Sequence, residues 1–497
     1  MSQCRQVNGP ILLGTYHVDI FCTFEVQHAY TQKNDQTNGM KIVIIGNGIA
    51  GTNAARFIRK RTDHQIIMIS EESWQPYSRT ALMYVYMGHL KLKDTHLYED
   101  WFWEKNRIER IQSRVNRVDI HKKQLQLQDG KTLEYDKLII ACGSRPNKFG
   151  WPGQSLKGVQ GLYHLQDLES MEGSTLDILA AGKNARAVIV GGGLIGIEMA
   201  EMFHSRHIPV TFLVRENSFW NQVLPPEESD MINRHIREHG IDLRLNTELK
   251  EITGDAAGKV SEVFTNHGDR IACQFAGLTV GVSPNIDFLQ ESGIKLNRGV
   301  LVNEWLETSE KDIYAIGDCA ELQQPDSGRR AIEAVWYTGR MMGQTVAQTI
   351  CGVKTAYKPG IWFNSAKFFD IEYQVYGDVP AVLPAHLETL YWEHPEGRKS
   401  VRINFEKNGG AVTGFNLMGV RYRQEVCEKW IKERTPISQV LENLSLANFD
   451  PEFFRQYEPD IVDQYNRQNN INIRLSSKRS RNQVSRFLSN LGQQSNA

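Results

Sequence analysis

Residues 40–51 read MKIVIIGNGIAG. Residues 42–45 are a short, continuous apolar run, the pattern of a buried strand. Gly46, Gly48 and Gly51 follow at the G-x-G-x-x-G spacing, and residues 52–61, TNAARFIRKR, have helical composition. Ala54, Ala55, Phe57 and Ile58 can share one face of that helix. The first glycine permits a tight strand-to-helix turn, the second lets a pyrophosphate approach the backbone, and the third lets helix and strand pack closely. The turn Gly46, Gly48, Ile49, Ala50 and Gly51 then opens a helix N-terminus, which offers free N–H groups and a partial positive charge to phosphate. A second apolar run, 66–69, leads to Glu71, about twenty residues after the last glycine, where an acid holds an adenosine ribose.

The pattern recurs. Residues 187–190 are another apolar run, with Gly191, Gly193 and Gly196 behind it and a helical stretch over 197–204. A strand over 210–214 follows. A single shift carries Gly46, Gly48, Gly51 and Glu71 onto Gly191, Gly193, Gly196 and Glu216. One such motif arises by chance, but two with matching strands and acids are far more specific.

A chain of 497 residues exceeds one core, so several domains are expected. The 57 basic and 58 acidic residues nearly cancel, which argues against a nucleic-acid binder. No apolar run approaches the ~18 residues of a membrane span. Seven scattered cysteines without a C-x-x-C pair fit a reducing compartment, so a cytoplasmic location is expected.

Residues 1–39 lack a secretory pattern and read as a non-structural extension, with Met40 as a natural start. Residues 115–120 and 123–133 read as strands. Residues 138–146, LIIACGSRP, give a strand ending at Ala141, Cys142 and Gly143. Residues 280–285, with Gly281, turn the chain back, and a strand at 313–316 ends at Gly317 and Asp318. A helix is expected over 332–350, beginning near Val335 and Trp336. From about residue 356 the pattern becomes α+β, with strands at 371–376, 387–392, 401–405 and 412–417 and helices at 424–433 and 438–446. The last thirty-odd residues carry many basic groups and no acid after Asp463, and read as a disordered tail. His235 and His239 stand four apart on an expected helix. Without a third ligand nearby in sequence they read as surface histidines.

The expected architecture is α/β: two Rossmann-like dinucleotide-binding domains and a smaller C-terminal α+β domain. Its boundaries are 40–150 and 276–355 for the first dinucleotide domain, 151–275 for the second, 356–465 for the α+β domain and 466–497 for the tail.

With these motifs placed, the chain resembles the pyridine nucleotide–disulfide oxidoreductase superfamily. Within it, the chain is most similar to the branch of rubredoxin reductase, the flavin half of nitrite reductase and apoptosis-inducing factor. The resemblance rests on residues 70–79 (SEESWQPYSR), 191–198 (GGGLIGIE) and 317–320 (GDCA). It implies FAD on Gly46, Gly48, Ile49, Ala50, Gly51, Glu71, Arg79, Val115, Ala141, Gly143, Gly317, Asp318, Val335 and Trp336. It implies a nicotinamide dinucleotide on Gly191, Gly193, Leu194, Ile195, Gly196, Arg215, Glu216 and Gly281, with NADH favoured by Glu216 over NADPH. Glu198 matches a carboxylate beside the nicotinamide–flavin contact. The resemblance further implies an oxidoreductase in which FAD carries the reaction and electrons leave to a small redox protein, a quinone or oxygen. A homodimer through the C-terminal domain is also implied.

No cysteine lies in the helix after Arg79, so no redox-active disulfide is expected, and Cys142 and Cys319 read as small buried side chains. The chain departs from the branch at Tyr84, where a lysine that pairs with the Glu198 position is usual. Gln166 replaces an arginine, Asn364 precedes Ser365 in place of tryptophan, and Val335 replaces a histidine. These departures gather around the flavin's working faces. They keep a second reading open, a flavin-bound, NADH-sensing interaction protein.

Overall fold

The computed structural model describes residues 39–182, 185–450, 452 and 455–476. Residues 1–38 of the expected N-terminal extension and residues 477–497 of the expected tail thus lie outside the described residues.

Two five-stranded parallel sheets and one five-stranded antiparallel sheet organise the chain. In the first sheet the strand Lys41–Ile45 lies between Gln65–Ser70 and Lys137–Ile140. Ile108–Gln112 extends one edge and Ile313–Ala315 the other. The last strand returns from far along the chain, so segments on both sides of the second sheet build the first. Ile42, Val43, Ile44, Ile66, Leu138 and Ile139 are fully buried or nearly so. That is the continuous apolar run a parallel sheet covered on both faces requires. Each such side chain contributes roughly 1.5–3 kcal/mol by leaving water.

The helices Ile49–Arg59 and Trp336–Ile350 pack together over this sheet. Their contact depends on Gly343, where a Cβ would stand 2.4 Å from the Ala50 carbonyl oxygen. The helix Ile49–Arg59 starts three residues earlier than the composition of 52–61 indicated, because the glycines themselves enter the first turn.

The second sheet repeats the order, with Ala187–Val190 between Val210–Leu213 and Phe275–Leu278. Asp242–Arg244 and Val159–Gln160 are its edges. The helix Leu194–Ser205 follows its glycines at the equivalent place. Two crossings join the units. They are the short strands Ser144–Pro146 and Val282–Pro284, which pair antiparallel.

The C-terminal sheet runs in the order Phe363–Phe368, Ile371–Gly377, Val412–Met418, Ser400–Glu406, Leu387–Glu393. The strand Phe363–Phe368, within the aromatic-rich stretch 362–369, was not expected from the sequence. Residues 123–133 divide into Gln124–Leu127 and Thr132–Glu134 around the turn at Gly130, whose φ is +81°. A helix, Glu458–Asn469, runs past the expected start of the tail at 466. Asn466 accepts from the Ile473 N–H at 2.8 Å and donates to the Ile473 carbonyl at 2.8 Å, which folds residues 470–473 back on the helix.

The C-terminal unit is tied to the second sheet's helix Pro226–Glu238 by a buried ion pair. Arg402 Nε lies 2.8 Å from Glu228 Oε1, and a second Arg402 nitrogen lies 2.8 Å from Glu228 Oε2. Burial pushes the Glu228 carboxyl up despite Arg402 beside it. Among the described residues, no helix is long and apolar enough to cross a membrane.

Candidate functional site

The two glycine turns have the same geometry. Gly46 has φ +108°, and a Cβ there would sit 2.1 Å from the Ala141 carbonyl oxygen. At Gly51 a Cβ would sit 2.1 Å from the Gly46 carbonyl oxygen. Gly48 is different, since nothing lies within 4 Å of the place a Cβ would occupy. In the second turn Gly191 has φ +119° and faces the Thr279 carbonyl at 2.4 Å, Gly196 faces Gly191 at 2.2 Å, and Gly193 again looks into open space. The outer glycines are therefore required by the chain's own packing, and the middle one keeps a cradle clear.

Both following helices start without a side-chain cap. The first-turn N–H groups at Ile49 and Ala50, and at Leu194 and Ile195, have no carbonyl one turn back within the helix. Open cradle, uncapped donors and helix dipole together fit a pyrophosphate in each turn.

The acids stand one or three residues beyond the second strands. Glu71 is half-exposed, with Arg114 Nε at 3.6 Å. Glu216 Oε1 accepts from Arg215 at 2.8 Å and from Gln222 at 3.3 Å. Val115 begins the strand Val115–Asp119 and its side chain is buried in the core, which leaves only its backbone for a ligand.

Arg79 meets a buried carboxylate. Its guanidinium pairs with Glu72 at 2.7 Å and lies over the Tyr163 ring, 4.2 Å from the centroid. Glu72 also accepts from the Tyr77 hydroxyl and from the Leu165 N–H at 2.9 Å, and His164 Nδ1 lies 3.1 Å from it. Burial raises the Glu72 carboxyl, but the His164 hydrogen bond and the Arg79 charge outweigh it and hold the group well below the usual carboxylate range. Gln166 donates to the Glu72 carbonyl at 2.9 Å.

Asp318 follows Gly317, whose φ is +73° and whose Cβ position is 3.0 Å from Ala50 Cβ. Its Oδ2 lies 3.2 Å from the Tyr163 hydroxyl and 3.3 Å from Ser144 Oγ. The Tyr163 hydroxyl accepts from the Ser144 N–H at 2.8 Å. Gly143 has φ +68°, and a Cβ there would also stand 2.9 Å from that hydroxyl. Burial pushes Asp318 up, opposed by the Tyr163 and Ser144 hydrogen bonds. Gly281, with φ +88°, lies at the second crossing beside Asn147.

Val335 caps the helix Trp336–Ile350 with extended backbone and no side-chain hydrogen bond. Tyr337 packs on Phe363 at 4.5 Å, and its hydroxyl lies 3.1 Å from Ser365 Oγ. The C-terminal strand thereby delivers Asn364 and Ser365 to the helix start.

Glu198, on the second glycine helix, makes no hydrogen bond or ion pair among the described residues. It is pushed up to about 7 by burial first and by Glu201 second. Tyr84 lies in this neighbourhood, and Lys367 Nζ is 5.9 Å from its ring centroid. The five described cysteines are free. Cys319 is buried and Cys142 half-buried. The hydrogen bond that the Cys142 thiol gives to Cys319, then burial, raises the Cys142 thiol.

Glu72, Ser144, Tyr163 and Lys367 belong to these sites and were not singled out in the sequence. Glu72 had one signal, its place beside Glu71 in a loop with Arg79. Ser144 lay inside the quoted stretch 138–146, and Tyr163 and Lys367 had no signal, because each acts through a partner more than 80 residues away.

Two cradles, each with an acid beyond its second strand, define a protein that binds two dinucleotides. Residues 40–348, more than half the chain, match the model of the family described as pyridine nucleotide-disulphide oxidoreductase, and the chain belongs to that family. It is an FAD-dependent NAD(P)H oxidoreductase that hands electrons to an external redox partner.

The chain is 28% identical over 386 residues to rubredoxin-NAD(+) reductase of Ectopseudomonas oleovorans, covering 76% of this chain and 98% of that one. It is 28% identical over 316 residues to the assimilatory nitrate reductase electron transfer subunit of Bacillus subtilis, covering 63% of this chain but only 39% of that one. Ferredoxin reductase for the CYP199A2 system of Rhodopseudomonas palustris shares the fold, with a TM-score of 0.70 at 22% identity over 84% of this chain and 98% of that one.

Proposed function

We propose that this protein is an NADH-dependent reductase of a small redox protein, with FAD in the first cradle and NADH in the second. The observation that carries this is the repeated turn, in which Gly48 and Gly193 alone leave the Cβ space open. In this reading Gly46, Gly48, Ile49, Ala50, Gly51 and Glu71 hold the adenosine pyrophosphate of FAD. Ala141, Gly143, Gly317 and Asp318 hold its ribityl side, with the Val115 backbone at the adenine. Val335 and Trp336 present a helix N-terminus to the ring, and Arg79 steadies the Tyr163 and Glu72 wall beside it.

Gly191, Gly193, Leu194, Ile195, Gly196 and Gly281 hold the nicotinamide dinucleotide. Glu216 accepts from its ribose. Arg215 is already paired with Glu216, which favours NADH over a 2′-phosphate.

Bound FAD supplies the redox chemistry, taking a hydride from the nicotinamide and releasing electrons to the acceptor. The chain orients both rings and excludes water. Glu198, poised near neutrality, holds or yields a proton at its carboxyl. The acceptor is a rubredoxin- or ferredoxin-like protein, as it is for the relatives that reduce rubredoxin or ferredoxin. The same reading keeps domain boundaries at 150 and 275, near the two crossings, and at 355, between the helix Trp336–Ile350 and the C-terminal sheet. Free cysteines support a reducing, cytoplasmic location, and a dimer through the C-terminal unit belongs to the same reading.

Anaerobic titration of the yellow protein tests this. Bleaching within milliseconds by stoichiometric NADH, much faster than by NADPH, followed by reoxidation with an added rubredoxin or ferredoxin, is the expected result. A second reading, an NADH-sensing interaction protein, is favoured by Glu198 lacking an ionic partner. Bleaching over minutes, with no acceleration by any acceptor, would select it. A colourless chain that cannot be loaded with FAD defeats both.

A further inference from the structure

His235 lies in the last turn of the helix Pro226–Glu238 and is 1% exposed. Neither of its ring nitrogens has a hydrogen-bond partner. His239, one turn further on, presents its ring beside it, with centroids 4.5 Å apart. Its Nδ1 lies 2.9 Å from the His235 carbonyl oxygen. Nδ1 donates that hydrogen bond, so the free lone pair is at Nε2. Imidazoles that bind metal ions are commonly oriented in this way.

The third group comes from another part of the fold. Asp370 sits in the turn between Phe363–Phe368 and Ile371–Gly377 of the C-terminal sheet. Its Oδ1 is 2.6 Å from His235 Nε2 and 3.9 Å from His239 Nε2. The 2.6 Å approach is not aligned as a hydrogen bond, and the His235 nitrogen stays unsatisfied. All three donor atoms lie within 4.8 Å of one another. A tetrahedral ion with bonds of about 2.0–2.1 Å needs its ligand atoms about 3.3 Å apart, between the two distances observed.

The surroundings favour a cation. Arg398 takes the far side of the acids, at 3.4 Å from Asp370 Oδ2 and 3.3 Å from Glu238 Oε2. Two carboxylates against one guanidinium leave a net negative charge facing the imidazoles. Phe369, held at φ +56°, stacks on His239 at 4.2 Å and fixes the turn that presents Asp370. The His204 ring packs edge-on near His239, with centroids 5.6 Å apart.

We propose that His235, His239 and Asp370 form a site for a zinc-class divalent ion that joins the second dinucleotide-binding unit to the C-terminal sheet. Two imidazoles and a carboxylate suit that class, with water as the fourth ligand. The site stands apart from both dinucleotide cradles and does not depend on which nicotinamide cofactor or acceptor is used.

The test uses the FAD-loaded full chain, stripped with chelator and titrated calorimetrically with zinc sulfate alone. One ion per chain with a Kd on the order of micromolar or tighter is expected. His239→Ala and Asp370→Ala should each weaken binding at least about tenfold. Both positions are solvent-accessible, so these variants avoid emptying the buried His235 site. Zinc should also raise the thermal midpoint of the parent and of neither variant. Absence of micromolar binding to the parent overturns the site. So does binding that survives either substitution, since the ion would then lie elsewhere.

Discussion

Lys367 Nζ donates to Glu201 Oε1 at 2.8 Å, reaching from the edge strand of the C-terminal sheet to the second glycine helix. Glu201 is 5% exposed, and its other oxygen has no hydrogen-bond partner. Glu198 lies one turn earlier on the same helix, with no such cation. A lysine is therefore present in this neighbourhood, but it comes from another element and serves a different glutamate.

Removing that cation leaves a buried carboxylate unpaired. Breaking a fully buried pair costs roughly 3–5 kcal/mol, and Lys367's partial exposure reduces this to about 2. Chemical denaturation of Lys367→Met should show a loss of that size. No change would mean that solvent already screens Glu201.

Glu198 gives a pH signature. Its folded pKa is raised to about 7, above that of an ordinary carboxyl. Between the unfolded and folded values the native state holds the extra proton, so stability falls as pH rises through that window and is level above about 7. Glu198→Gln should flatten this slope, gaining more thermal stability at pH 8 than at pH 5. The same variant should remove an inflection near pH 7 from the rate of bleaching by NADH.

Tyr84→Lys should place a cation near Glu198 and lower its pKa. The inflection then moves below pH 7. An inflection that stays in place would show that residue 84 does not reach the carboxylate.

The glycines separate folding from binding. Gly193→Ala should leave a folded, yellow protein, because the added Cβ meets nothing within 4 Å, yet should weaken NADH binding by about tenfold or more. Gly48→Ala should instead fold with diminished flavin. Gly196→Ala would push a Cβ to 2.2 Å from the Gly191 carbonyl and should lower stability measurably by thermal scan.

Glu72 accepts from Tyr77, Arg79 and the Leu165 N–H while nearly buried. Its carboxyl is held low, so its stabilisation is present above the unfolded pKa and lost as pH falls through the acid range. Glu72→Gln should cost about 2–4 kcal/mol at pH 7 in a denaturant titration and reduce the steepness of acid unfolding.

The sequence by itself determined the local grammar: both glycine turns, their strands, the strand ending at Gly317 and most strands of the C-terminal sheet. Those signals are contiguous, since a turn that forbids a Cβ and a run of buried β-branched residues are written within a dozen positions. Glu198 and the departure at Tyr84 were legible only through the family resemblance. The sequence did not show the strand Phe363–Phe368, whose alternation was hidden by aromatic density, or the extent of the helix Glu458–Asn469, whose polar composition read as tail. His235 read as a surface residue, and only tertiary packing buries it and sets Asp370 beside it. The Glu72, Tyr163 and Asp318 network and the Lys367–Glu201 pair were likewise decided by the tertiary structure. Charge and hydrogen-bond complementarity between distant segments leaves no fixed spacing in the chain. It exists only once sheets and crossings have brought those segments together.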